Sequence, residues 1–234
     1  MRRSISGLTD VLPVLRVLGL LIMLFAFAMG LPLAVSWYWQ DGVWQVYLLS
    51  MGITLLAGAV LSLSTMRYKR ELQPRHGVML VSLVWALLPV FAAIPLMLAC
   101  DQVGRPLTFT HAYFEAVSGL TTTGSTVLSN LDTLPVSVNM WRTFMQWIGG
   151  MGILILAVAV LPLLGVGGAQ LFKAEAAGPI KDTKLTPRIT ETAKGLRGAY
   201  APGSVAGAWA CRLGGMTPRD AAMHMFTTAR RAGL

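Results

Sequence analysis

The chain is short of the residues that water-soluble proteins spend on their surfaces. Charged residues fill only 12% of its 234 positions and only ten are acidic, while 55% of the chain is hydrophobic. That balance excludes a soluble domain with a large core and points to an all-α integral membrane protein. Cysteine is nearly absent. Cys100 and Cys211 lie far apart, in no CxxC or metal-ligand pattern, and read as ordinary thiols. The three histidines, His76, His111 and His224, share no helical spacing, which argues against a metal site. No Ser/His/Asp set and no paired carboxylates are present, so neither an enzyme nor a cofactor is expected. Gly149-Gly150-Met151-Gly152 has no strand before it and no Lys-Ser after it. It reads as a small-residue helix face rather than a phosphate-binding turn.

What the chain does have is long apolar runs with positive charge at their ends. Val14–Val35 is a first span of about 22 residues, roughly 33 Å as a helix. It lacks a small-x-small cleavage site and so does not read as a removable signal peptide. Trp37-Tyr38-Trp39 and Trp44 form an aromatic belt around a short outside turn. Val46–Ser64 returns inward, Val78–Leu98 is a third span, expected to be kinked by Pro89 and Pro95, and Trp141–Leu164 is a fourth. The net charge of +9 raises the question of nucleic acid, but the positive residues sit in short segments beside the apolar runs. With the N-terminus inside, thirteen basic residues are cytoplasmic: Arg2, Arg3, Arg16, Arg67, Lys69, Arg70, Arg75, Lys173, Lys181, Lys184, Arg188, Lys194 and Arg197. Only Arg105 and Arg142 lie outside, a positive-inside pattern for a multi-pass chain in a lipid membrane. No nucleic-acid partner is expected.

Between the third and fourth spans lies His111–Thr126, HAYFEAVSGLTTTGST, too polar to cross a membrane. Tyr113, Phe114, Val117 and Leu120 fall at helical spacing, which predicts a short helix over Ala112–Leu120. Thr121-Thr122-Thr123-Gly124-Ser125-Thr126 is a poor helix: three β-branched residues disfavour one and Gly124 permits a turn. Two readings fit. One is a Thr-rich extracellular loop; the other is a re-entrant pore loop whose carbonyls replace a cation's hydration shell. The position between two spans favours the pore loop. Glu115 either attracts cations at its mouth or hydrogen-bonds the pore helix. Arg142 either snorkels to the headgroups or braces the loop.

The run Phe114 to Thr126 resembles the Trk/Ktr/HKT superfamily of potassium transporters, and most of all its TrkH-type membrane subunits. So do Trp141-Arg142-Thr143-Phe144-Met145-Gln146-Trp147-Ile148-Gly149-Gly150-Met151-Gly152, Leu164 to Gly168, and Lys184-Leu185-Thr186-Pro187-Arg188-Ile189. The resemblance implies one pore built from four linked helix–pore loop–helix repeats, after two leading transmembrane helices. On that map residues 1–76 hold the leading pair, 77–168 the first repeat, 169–197 a basic cytoplasmic segment and 198–234 a degraded, truncated start of a second repeat. Thr122, Thr123, Gly124 and Ser125 become one quarter of a selectivity filter, with potassium at Thr122 and Thr123. A soluble nucleotide-binding regulatory subunit of the TrkA type is an implied partner, with Gly165–Arg197 either its contact or simple positive-inside anchoring, and a homodimer is possible within this family. Met216–Thr228 still looks like a second pore-loop helix, but Ala229-Arg230-Arg231-Ala232-Gly233-Leu234 stands where its filter is expected. Gly195–Cys211 has the look of a reading-frame disturbance. The implied function is potassium uptake as the pore-forming subunit; the alternative is a non-conducting membrane fragment with a structural or assembly role.

Overall fold

Pro32 shows how the sequence shapes the first hydrophobic run. It has no N–H, so the carbonyl of Ala28 loses its partner four residues on. The run therefore divides into helix α1 (Arg3–Ala28) and helix α2 (Gly30–Trp39). Across the joint the ladder tightens: Met29 N–H donates to Ala26 at 3.1 Å before Leu33 resumes normal spacing on Met29 at 3.2 Å. The computed structural model describes residues 3–66, 74–160, 202–203, 206–207, 209–217, 223 and 226. Further along are α3 (Trp44–Ser64), α4 (Pro74–Gln102), α5 (Phe109–Leu120), a single 3-10 turn at Leu131–Thr133 and α6 (Val136–Val160). Every regular element among the described residues is helical, as expected.

Among the described residues, three stretches are long and apolar enough to cross a membrane: Val11–Trp39, Trp44–Ser64 and His76–Gln102. The expected first span ends too early. The helix continues through Trp37, Tyr38 and Trp39, which form its exposed last turn rather than a loop. The expected fourth span begins inside α6, and its last four residues, like the basic segment Gly165–Arg197 and Arg67, Lys69 and Arg70, lie outside the described residues.

The chain divides into two compact units, Met1–Arg142 and Thr143–Leu234. In the first, α3 is turned inside out relative to a soluble helix. Its buried residues are Val46, Tyr47, Ser50, Thr54, Gly58 and Ser62; all but Tyr47 fall at a spacing of four, and most are small or hydroxyl-bearing. Its exposed side carries Leu48, Leu49, Ile53, Leu56, Val60 and Leu63. Small residues let helices approach closely where lipid removes the usual drive to bury apolar groups. The approach is tight at Gly19 and Gly58: a Cβ on Gly19 would lie 2.8 Å from the Gly58 carbonyl oxygen and from Ser62 N. On α1, Val14, Leu18, Ile22 and Phe25 are buried at helical spacing, with Phe25 against Trp141.

Helix α4 runs through Pro89 and Pro95 without interruption. Each proline leaves the carbonyl four residues back without its N–H partner. Neighbouring side chains donate to the next carbonyl along, three residues before each proline. Tyr113 Oη donates to Ala86 O at 3.1 Å and Trp141 Nε1 to Ala92 O at 3.1 Å. The first bond ties α5, and the second the start of α6, to α4.

In the second unit, Phe144 stacks on Trp147 with centroids 5.7 Å apart, and Phe226 meets both edge-on at 5.3 and 5.9 Å. Of the expected second pore-loop helix, Met223 and Phe226 are helical and Met216 and Thr217 are not; the remainder lies outside the described residues. In Gly195–Cys211, Pro202, Gly203, Ala206, Gly207 and Trp209–Cys211 are helical, and that helix ends at Leu213.

Candidate functional site

Helix α5 starts earlier than its apolar spacing predicts because Thr108 caps it, accepting the His111 N–H at 3.4 Å. Phe109 and Thr110 thereby join the helix instead of the preceding loop. The helix is about three turns long and buries Ala112, Glu115, Ala116, Ser118, Gly119 and Leu120.

Its C-terminal end dictates the conformation of the loop. Thr122 N–H donates to Gly119 O at 3.0 Å and Thr123 N–H to Ser118 O at 3.0 Å. Those two bonds make a Schellman ending, in which the residue after the cap is left-handed and is usually glycine. Here it is Thr122, at φ +59°. A β-branched residue there costs on the order of 1–2 kcal/mol. Thr121 N–H donates to Val117 O at 2.8 Å and Gly124 N–H to Ser118 O at 3.4 Å. Gly124, at φ +76°, then takes the chain out of the turn, as the sequence predicted.

The consequence is chemical. Four successive N–H groups, Thr121 to Gly124, are spent on the helix end. The carbonyls of Thr122, Thr123 and Gly124 accept no hydrogen bond from the described residues. Thr122 is half-buried; Thr123, Gly124 and Ser125 are exposed. Ser125 differs from the other predicted filter residues, since its carbonyl accepts the Ser118 hydroxyl at 2.7 Å. A row of unpaired carbonyls beside the negative end of a helix suits a cation.

The descending limb of the loop is held by a buried ion pair. Glu115 is 3% exposed, and its Oε1 accepts both the Thr126 hydroxyl and the Val127 N–H at 2.6 Å. Its Oε2 accepts Arg142 Nε at 3.0 Å, and Arg142 Nη2 donates to Thr126 Oγ1 at 2.9 Å. Glu115 is thus buried and hydrogen-bonds the chain after the Thr/Gly run rather than the pore helix, and Arg142 braces the loop. Sequence reasoning missed Ser118 and the acceptor role of Thr126. A hydroxyl one turn before a glycine-rich helix end was the available signal for Ser118.

Residues 44–211 match the family described as TrkH: Cation transport protein. The Trk system potassium uptake protein TrkH of Halomonas elongata is 46% identical over 220 residues, covering 94% of this chain and 45% of its own. The protein of that name in Vibrio parahaemolyticus is 43% identical, with the same two shares of 94% and 45%. The crystal structure of the potassium transporter TrkH from Vibrio parahaemolyticus superposes with a TM-score of 0.77 at 38% identity. It matches 91% of this chain and 42% of that one. The chain thus spans less than half the length of these relatives, and over most of its own length it belongs to the TrkH family of cation transport proteins.

Proposed function

We propose that this chain supplies a potassium-coordinating loop to a Trk-type uptake system in a bacterial inner membrane. Residues Val14–Ser64 form the leading helix pair, with the N-terminus cytoplasmic, and Val78–Leu164 the first helix–pore loop–helix repeat. Thr122, Thr123, Gly124 and Ser125 form one quarter of the selectivity filter, with potassium held at the carbonyls of Thr122 and Thr123. Residues 198–234 are then the start of a second repeat. A TrkA-type nucleotide-binding subunit on the cytoplasmic face, with Gly165–Arg197 as its contact, and a homodimer belong to the same proposal.

One observation carries the reading: Thr121 to Gly124 direct all four N–H groups at the helix end, so the carbonyls of Thr122, Thr123 and Gly124 are left free for an ion. The test joins residues 1–197 to the remaining sequence of the Vibrio parahaemolyticus relative, in cells lacking potassium uptake. The chimera restores growth at low potassium. Gly124→Ser within it lowers potassium-over-sodium selectivity about tenfold, because a side chain at a left-handed position costs roughly 1–2 kcal/mol. Unchanged selectivity in that variant overturns the reading.

A further inference from the structure

Asp41 lies in the turn between α2 and α3, flanked by two left-handed residues, Gln40 at φ +50° and Gly42 at φ +84°. That geometry folds its carboxylate back into the protein. Oδ1 accepts the Ser36 hydroxyl and the Val43 N–H, the latter at 3.4 Å. Oδ2 accepts the backbone N–H of Ser137 at 2.9 Å, from 96 residues further along the chain.

Ser137 is the second residue of α6. The first turn of a helix leaves N–H groups without partners, and a side-chain oxygen just before the helix ordinarily takes one of them. The residue in that place is Pro135, whose side chain cannot accept. Its carbonyl receives Val138 and Asn139 at 3.0 and 3.3 Å, which leaves Ser137 for Asp41. The leading helix pair thus caps a helix of the pore repeat. Burial pushes the Asp41 carboxyl up, but hydrogen bonds from Ser137, Ser36 and Val43 outweigh it and hold the group below its ordinary value. The carboxylate is therefore charged where the helix dipole is positive.

Arg142 lies five residues beyond Ser137 on the same helix, and its guanidinium meets Glu115, which holds Thr126 and Val127. Trp141 pins the flank of α6 to Ala92, and Asp41 holds the first turn of the same helix. Two anchors on one helix, at its first turn and at its flank, together fix its orientation about its own axis. We infer that Asp41 is a positioning residue for the candidate filter, setting the rotation of α6 so that Arg142 meets Glu115. The inference rests on the loop's proposed role as a filter.

Amide hydrogen exchange on the full chain in lipid nanodiscs tests it without requiring conduction. In Asp41→Ala, exchange rises about tenfold at Ser137 and at Val127, the size expected from losing a hydrogen bond to a charged group. Amides of α1 and α3 between Gly19 and Ser62 stay unchanged. Asp41→Asn, which keeps one acceptor oxygen, restores part of the protection. Faster exchange at Ser137 with Val127 unmoved shows a local cap and overturns the inference. So does a uniform rise across α1 and α3, or no rise at Ser137. In the chimeric transporter, Asp41→Ala lowers selectivity in the direction of Gly124→Ser. If Gly124→Ser alters selectivity and Asp41→Ala does not, the filter reading stands and this inference falls. If Gly124→Ser has no effect, the filter reading itself falls and takes the inference with it, leaving any exchange coupling as a structural link only.

Discussion

A carboxylate removed from water costs several kcal/mol unless its lone pairs are filled, and at Glu115 they are filled by Thr126, Val127 and Arg142. The pair's worth lies in keeping both members together. Arg142→Met strands a buried charge and lowers stability by about 3–5 kcal/mol. Glu115→Gln with Arg142→Met recovers much of that, because the orphaned charge is gone. Unfolding of the four chains in detergent closes the cycle, with a coupling of about 1–3 kcal/mol expected. A loss below about 1 kcal/mol in Arg142→Met alone would sink the brace. Thr122 poses a different residue-scale question. The helix ending at Leu213 uses the same two-bond ending, with Gly215 at φ +89° in the left-handed place. Helix α5 uses Thr122 there and accepts the strain. The sequence showed Gly124 as the turn because glycine advertises a left-handed residue. Nothing in a run of threonines marks the first of two such positions.

At the scale of elements, the apolar runs were legible because membrane spans are long and nearly free of charge. Trp44–Ser64 falls within two residues of its expected start, whereas the Met29 joint and the reach of α2 to Trp39 were not seen. Hydropathy ignores the missing N–H of Pro32, and it also hides which side of a span is buried. The buried stripe of α3 is its less apolar side, so its contact with α1 is set by size. Gly58→Ala tests this directly, since its Cβ would lie 2.8 Å from the Gly19 carbonyl oxygen and 2.9 Å from Met23 N. Backbone atoms cannot yield cheaply, and overpacking of this kind costs about 1–3 kcal/mol. Gly52→Ala, on the same helix with no described atom within 4 Å of its Cβ, leaves stability unchanged or slightly raised. Equal melting temperatures for the two variants would remove the argument. By the same criterion Gly152, expected on a close-packing face, meets no described atom within 4 Å.

For the whole molecule, what the sequence conveyed of the site was its local part. The run from Phe114 to Thr126 is contiguous, and helix, stop and turn follow from neighbouring residues. Asp41 was illegible because its partner is 96 positions away and the bond is to backbone. The same distinction between local and assembled structure governs conduction. Replacing the hydration shell of potassium takes a ring of carbonyls around the ion, whatever sets the selectivity of that ring. The described residues contain one such loop, with free carbonyls at Thr122, Thr123 and Gly124 on one side of any ion it holds. An ion bound there keeps water on its other sides and gains little from entering a bilayer. Relatives about twice as long have room for further loops within one chain. The 234-residue polypeptide, purified and placed alone in liposomes, is therefore expected to show potassium uptake no greater than empty liposomes. Selective, saturable uptake would overturn this, and would mean that several copies of the chain bring their Thr122–Gly124 carbonyls around one ion.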